Sequence, residues 1–435
     1  MDGSVRKVET VWEEDTAIVE GVDISGPWNR MFGQRVIWDY TPELIDEIAS
    51  LPGAESFAWC YQCGKCVPVC PVDVVGDYGP RKLYRKAQTG LNLLDSPDLW
   101  LCTTCMNCLR VCPKQVDMVQ IMPAAREQAL LSGRPLPAEL QEALENTARY
   151  GNPLGQPPRK REAWVKNAGV PVPILHQIQR PVEWLWWVEC YPSYHPRGID
   201  ASIALARVFH ALGLDFGILG REEKCAGDSQ RLAGEHGLFE MLAEENIRTL
   251  SKYEFQHIVV TDPHALNAFR KQYPKYGGQY DVWHYTTLLA HELPRLRPLL
   301  TRQLPYRLTF HDPCYLGRHN GEYDAPRQLI EALPGVEFTE MPRCRQNSYC
   351  CGGGGGGMWL DSFAAGHQRR RLSEERVLEA VATGADTLVI CCPYEVSRFE
   401  DAVKSTGQEG QLRVRDIAEL LAEAMGLIGE EPAQA

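Results

Sequence analysis

Leu308-Thr-Phe-His311-Asp-Pro-Cys314-Tyr and Leu388-Val-Ile-Cys391-Cys392-Pro-Tyr-Glu395 decide the fold. Each is a short apolar run that breaks into proline and cysteine, the pattern of a buried strand ending in a loop. Between them stand Cys350 and Cys351, followed by glycine from Gly352 to Gly357. Four thiols (Cys314, Cys350, Cys351, Cys392) thus come from three separate segments. Adjacent cysteines serve neighbouring irons of a cluster more easily than one zinc tetrahedron. The glycine run removes every Cβ, so backbone N–H groups can approach cluster sulfurs or a substrate closely. This is read as the active site, with the rest of the chain supplying it with electrons.

Working outward, residues 183–300 repeat the pattern of 301–435. Trp186-Trp-Val-Glu-Cys190 matches the first stretch, Cys225-Ala226-Gly227-Asp228 the cysteine–glycine stretch, and His257-Ile-Val-Val-Thr-Asp262-Pro263-His264-Ala265 the last. Helical patterns lie between, over Ser202–Leu212 and on to Tyr253 in the first copy. In the second they cover Ala325–Leu333 and Arg369–Thr383. Alternating strand and helix patterns predict βα units with parallel sheets, their cysteine loops at the carboxyl ends of the strands. In the first copy Ala226, Asp262 and Ala265 stand where the second has Cys351, Cys392 and Glu395. Cys190 and Cys225 alone are too few for a cubane. They read as buried thiols, or, with Asp228 or His264, as zinc ligands.

Upstream, Cys60-x2-Cys63-x2-Cys66-x3-Cys70-Pro71 recurs as Cys102-x2-Cys105-x2-Cys108-x3-Cys112-Pro113. Zinc prefers two ligand pairs with a long spacer, whereas here four thiols fall close together twice over. In the bacterial ferredoxin run three thiolates hold one 4Fe–4S cube and the fourth serves the other. Cys60, Cys63, Cys66 and Cys112 are therefore assigned to one cluster, and Cys102, Cys105, Cys108 and Cys70 to a second. Residues 80–90 read as a basic helix inserted between the runs, with helices following over Ile121–Leu131 and Pro137–Arg149. The expected organisation is an extension (1–50), a two-cluster ferredoxin-like domain (51–150), a linker or partner-contact surface (151–182) and the two repeats, the first degenerate. Within the extension, Ala17–Val22 is expected as a strand and Thr41–Leu51 as a helix capped by Thr41. The fold class is α+β or α/β, multidomain: an α-helical ferredoxin module and two α/β repeats.

The chain has 435 residues, a net charge of −12 and sixteen cysteines. It shows no basic stripe for nucleic acid and no run of about 18 apolar residues to cross a membrane. Its acidic N-terminus lacks a signal-peptide pattern. Without an export signal, that many cysteines point to metal or redox chemistry, in the cytoplasm, rather than to a disulfide framework.

In combination these motifs resemble the catalytic subunits of heterodisulfide reductases. Fused to the N-terminal ferredoxin run, they are similar to the membrane-linked form and to the corresponding subunit of the sulfite-reductase-associated transmembrane complex. The resemblance spans about residues 55–410. It implies a third 4Fe–4S cluster, of non-cubane type in some relatives, on Cys314, Cys350, Cys351 and Cys392, acting on a disulfide or similar sulfur substrate. It further implies other redox subunits, among them a quinone- or haem-carrying membrane subunit, and so a place on the inner face of the membrane. Glu395 departs from the family's last cysteine. Cys391 beside the motif, or Glu395 itself, is then the further ligand, and the cluster type stays open.

Disulfide reduction consumes two electrons and two protons. His311, Tyr315, His319 and Glu395 are the nearby proton donors, with His319 foremost. Cys344 reads as a buried thiol, and Gln368-Arg-Arg-Arg371 as a solvated face or a dock for an acidic protein substrate. Two other functions compete: a non-catalytic electron-transfer subunit, and an accessory subunit of a lactate, glycolate or glycerol-phosphate dehydrogenase. No flavin fingerprint accompanies the latter.

Overall fold

A computed structural model describes residues 18–19, 22–23 and 43–429. In place of the single strand expected over Ala17–Val22, two short strands, β1 (Ile18–Val19) and β2 (Val22–Asp23), pair antiparallel. The helix Glu43–Ala49 falls within the expected 41–51, but its expected cap, Thr41, lies outside the described residues.

The two repeats are two four-stranded parallel sheets of the same topology. In the first, β3 (Val182–Trp187), β4 (Phe216–Ile218), β5 (Phe255–Val260) and β6 (Val282–His284) lie in the order β4-β3-β5-β6. In the second, β7 (Arg307–Phe310), β8 (Glu337–Phe338), β9 (Thr387–Ile390) and β10 (Arg413–Asp416) lie in the order β8-β7-β9-β10. All pairs in both sheets are parallel. Either way the order is second-first-third-fourth, and the crevice between first and third strands is where such sheets put their sites. One continuous apolar core, from Trp186 and Val259 to Phe310, Val389 and Ile417, joins the sheets. β4, β6, β8 and β10 are two to four residues long, too short for periodicity to reveal.

The N-terminal module is all helical. Pro80–Gln88 buries Leu83, Tyr84 and Ala87 and ties down its basic face through Lys82 to Asp73 (2.6 Å) and Lys86 to Asp98. Met118–Leu131 and Ala138–Tyr150 follow. The module's core runs without a break into Leu232, Tyr315, Tyr349, Cys350 and Leu372 of the repeats.

Two expectations are corrected. Residues 151–182 are not a linker: Trp164, Ala168, Val172 and Leu175 are buried in the core of the first sheet, and Arg161 is 2% exposed. Polar composition concealed this, because the apolar anchors are widely spaced among Pro, Gly and Lys. The arginine run 369–371 is not a solvated helix face either. Extended backbone there pairs Gln368 with Gly76, and the Arg369 amide donates to the Val75 carbonyl (2.7 Å), so the helix begins only at Leu372. Arg370 and Arg371 are paired with Glu375, Glu374 and Asp401. Among the described residues no helix is long and apolar enough to cross a membrane.

Candidate functional site

The two cysteine runs adopt one backbone conformation. Cys60 and Cys102 have φ/ψ of −71/115° and −70/120°, and Cys70 and Cys112 have −75/117° and −79/115°. Gln62 and Thr104 turn to positive φ (66° and 50°), as do Gly64 (80°) and Met106 (71°) two positions later. A left-handed kink in a non-glycine residue is costly and persists where surroundings enforce it. Here it curls each run around its sulfurs. Amide N–H groups donate to thiols at Thr104 to Cys102 (3.4 Å) and Val116 to Cys112 (3.3 Å).

Cys60, Cys63, Cys66 and Cys112 line one cavity, beside Tyr61, Lys65 and Arg81. Cys70, Cys102 and Cys108 converge next to buried Tyr78. Cys105 stands near Cys108 and also meets the Cys350 thiol. Burial pushes the Cys70 thiol up to about 12. Such a donor set becomes thiolate only with a cation to hold, which suits an iron–sulfur cluster.

Two buried guanidiniums fit the same chemistry. Arg126 donates to the carbonyls of Leu99, Cys102, Leu232 and Gly355 at 2.7–2.9 Å and meets no carboxylate. Arg318 donates to the carbonyls of Cys105 and Ser348, both at 2.7 Å, facing Cys105, Cys314 and Cys350. A buried cation needs a counter-charge, and anionic clusters supply it.

At the second repeat Cys314, Cys350 and Cys351 come together, with Cys350 hydrogen-bonded to both others. Gly352 and Gly353 amides donate to the sulfurs of Cys350 (3.3 Å) and Cys351 (3.4 Å). Further along, the glycine run serves a contact that the sequence did not suggest. A Cβ on Gly354 would stand 2.4 Å from the Thr103 carbonyl oxygen, and one on Gly355 2.3 Å from that of Cys102. Those glycines let the ferredoxin loop lie against the site.

Cys351 also meets His311 and Glu395, their ligand atoms within 4.8 Å of one another. His311 Nε2 is 3.1 Å from Glu395 Oε1 but outside hydrogen-bonding geometry, and with Glu395 Oε2 it is buried without a partner. Orphaned donor atoms beside three thiols are what a metal centre would satisfy. Burial, helped by Arg376, holds His311 well below the usual histidine range. Burial, then the Cys350 charge, lifts Glu395 well above the usual carboxylate range.

Cys392 and Glu395 line a pocket with Cys314, Tyr315, Cys351, Gly353, Gly354, Met358 and Tyr394. Across it stand Ser229, Pro263 and His264 of the first repeat. Cys391 is fully buried in the central core and does not line that pocket. His319 does not line it either: its Nε2 bonds the Thr104 carbonyl (3.0 Å), and burial drives its pKa down to about 3. Cys344 is half-buried at a turn, away from these groups.

In the first repeat the corresponding place is filled by the chain's own charges. Arg161 pairs with Glu223 (2.7 Å) and donates to the Cys190 sulfur (3.1 Å). Glu189 takes N–H bonds from Cys190, Ala226 and Trp187. Cys190, Cys225 and Glu189 are close enough to share a metal, but both Glu189 oxygens are already engaged. Asp228 and His264 pair with each other instead, at 2.9 Å. The signal for His264 was available: Asp262-Pro263-His264-Ala265 aligns with Cys392-Pro393-Tyr394-Glu395 of the site. For Arg126, Arg161 and Arg318 no sequence signal exists, because burial of an arginine is a tertiary fact.

Comparison with known proteins agrees with this anatomy. A cysteine-rich CCG domain is matched at residues 184–270 and 308–394, and a 4Fe-4S dicluster domain at 59–116. The chain is 30% identical over 403 residues to a subunit of the dihydromethanophenazine:CoB–CoM heterodisulfide reductase of Methanosarcina barkeri, covering 85% of this chain and 94% of that one. It is 35% identical over 340 residues to the probable iron-sulfur-binding oxidoreductase FadF of Bacillus subtilis, and 33% identical over 339 residues to the EtfAB:quinone oxidoreductase of Syntrophomonas wolfei. Each of these two matches covers 77% of this chain but 47% of the relative, so the chain spans about half their length.

Proposed function

The chain belongs to the family of iron–sulfur oxidoreductases that includes this heterodisulfide reductase component, and from that premise we propose that it carries electrons inward to reduce a disulfide-type sulfur substrate or, in reverse, to oxidise thiols to one. Cys60, Cys63, Cys66 and Cys112 would hold an outer 4Fe–4S cluster, and Cys70, Cys102, Cys105 and Cys108 an inner one. Cys314, Cys350, Cys351 and Cys392 would hold the third. When bound, these groups supply one-electron transfer and, at the third, an iron that accepts a sulfur.

The observation that carries the reading is the contact between Cys105 and Cys350. It brings a ligand of the inner ferredoxin cluster against a ligand of the last one, and Gly354 and Gly355 permit that approach. The chain's own residues do the rest. Cys314, Cys351 and Cys392 are buried where they line the pocket. Glu395 lines the same pocket beside Cys351 and Cys392.

A second reading, an electron relay to a quinone-reducing partner, is favoured by the name of the EtfAB:quinone oxidoreductase relative. Low-temperature EPR separates the two. Ordinary oxidised cubanes are silent. We expect thiol-oxidised protein to show a paramagnetic signal that is lost in Cys392→Ala. A silent oxidised protein, with only ferredoxin-type signals on reduction, would overturn the sulfur reading in favour of the relay.

A further inference from the structure

We propose that His264, supplied by the repeat that has lost its cluster thiols, donates a proton to the leaving sulfur of a disulfide bound in the pocket, with Asp228 as its positioning residue. The inference rests on the sulfur-substrate reading above.

His264 lies in the first turn of the helix Pro263–Lys271, which follows β5 at the crevice of the first sheet. Its Nδ1 is 2.9 Å from Asp228 Oδ2, while Asp228 Oδ1 receives Arg231 Nη2 at 2.8 Å. The ring stacks on Tyr315 at 3.8 Å, and Tyr315 stacks in turn on His319 at 3.9 Å. One nitrogen and the ring's orientation are therefore fixed by neighbours. The other nitrogen, Nε2, makes no hydrogen bond among the described residues, and the ring lines the pocket that holds Cys314, Cys351 and Cys392. A histidine whose Nδ1 is held by a buried carboxylate presents an Nε2–H to whatever enters. Burial disfavours its charged form, yet the bond to Asp228 and the charges of Asp262 and Asp228, against Arg231, leave its pKa raised. His319 offers no such proton, since its Nε2 is committed to Thr104.

The step balances as RS–SR′ + 2 e⁻ + 2 H⁺ → RSH + R′SH. The sulfur–sulfur bond breaks, and the electrons enter singly through the dicluster domain. The departing thiolate takes the proton of His264 Nε2, which solvent restores, and the other sulfur takes its proton from solvent.

The test uses the full chain with its clusters. Dithionite-reduced protein is mixed with hydroxyethyl disulfide, and cluster reoxidation is followed by absorbance. His264→Gln is expected to slow reoxidation about 100-fold at pH 7, with iron content and EPR signals unchanged. Asp228→Asn is expected to slow it about 10-fold and to shift the pH profile. A readout independent of turnover is carbethoxylation of wild-type protein by diethyl pyrocarbonate, mapped by mass spectrometry. His264 should be modified, and 2-mercaptoethanol should protect it. Wild-type rate and pH profile in a folded, iron-replete His264→Gln protein would overturn the inference alone, as would modification of His264 that 2-mercaptoethanol does not slow. Should wild type fail to reduce the disulfide at all, the sulfur reading falls and the inference falls with it.

Discussion

The two repeats share strand order and crevice and differ in what occupies it. In the second, thiols, a buried carboxyl and orphaned donor atoms converge. In the first, Arg161, Glu223 and Glu189 fill the same place with paired charges. A crevice shaped around an anionic cofactor still presents inward-pointing N–H groups after the thiols are gone, and those groups need an acceptor. The Glu189 carboxylate supplies it, and Arg161 balances the charge. The first repeat presents His264 to the second repeat's pocket.

The sharpest way to break this comparison is to treat both halves alike. Cys350→Ser is expected to abolish the third cluster, removing about four irons per chain, while Cys190→Ser leaves iron content unchanged. Iron loss from Cys190→Ser would show that the first repeat still binds metal. Next in size, Arg161→Ala strands Glu223, already pushed up to about 7 by burial, without its partner. It should cost about 3–5 kcal/mol in chemical denaturation. A cost under about 1 kcal/mol would mean that the charges do not hold the first crevice together.

Gly355→Ala probes the other half. Its Cβ would meet the Cys102 carbonyl at 2.3 Å, and the φ of +62° is itself unfavourable for alanine. A loss of about 1–3 kcal/mol is expected, together with slowed electron transfer from the dicluster domain to the third cluster in rapid-freeze EPR. Unaltered transfer would separate the glycines from the electron path.

The smallest effects compare equivalent helix caps. His284 after β6 and Asp416 after β10 each cap a helix while buried. Burial lowers His284 to about 4 and raises Asp416 to about 7. Each is held neutral, so the signs oppose. His284 costs stability as pH falls from about 6.5 to 4, and Asp416 as pH rises from about 4 to 7. Asp416→Asn should flatten the second slope while keeping the cap, as read by denaturation midpoints across pH. An unchanged slope would place that pH dependence elsewhere.

Much of this was legible in the chain. The twofold Cys-x2-Cys-x2-Cys-x3-Cys-Pro run, the repeat and the carboxyl-end cysteine loops follow from spacing and period, because short-range geometry fixes ligand loops and strand ends. Less legible was 151–182, where composition spoke for a linker and Trp164 and Arg161 decided otherwise. His319 was, after His311, the histidine nearest Cys314 in sequence, yet Tyr315 and Thr104 hold it as packing. Cys391 and Cys392 are adjacent, and alternation at the end of β9 sends the first into the core and the second to the pocket.

What the sequence by itself determined is which residues are thiols, how they are spaced and which half lost them. Tertiary structure alone decided which groups face one another. Cys105 against Cys350, His264 against the cysteine pocket and Arg126 among four carbonyls join residues from distant parts of the chain. Local propensity carries no record of such pairings, because they arise when separately formed elements bury their apolar faces together.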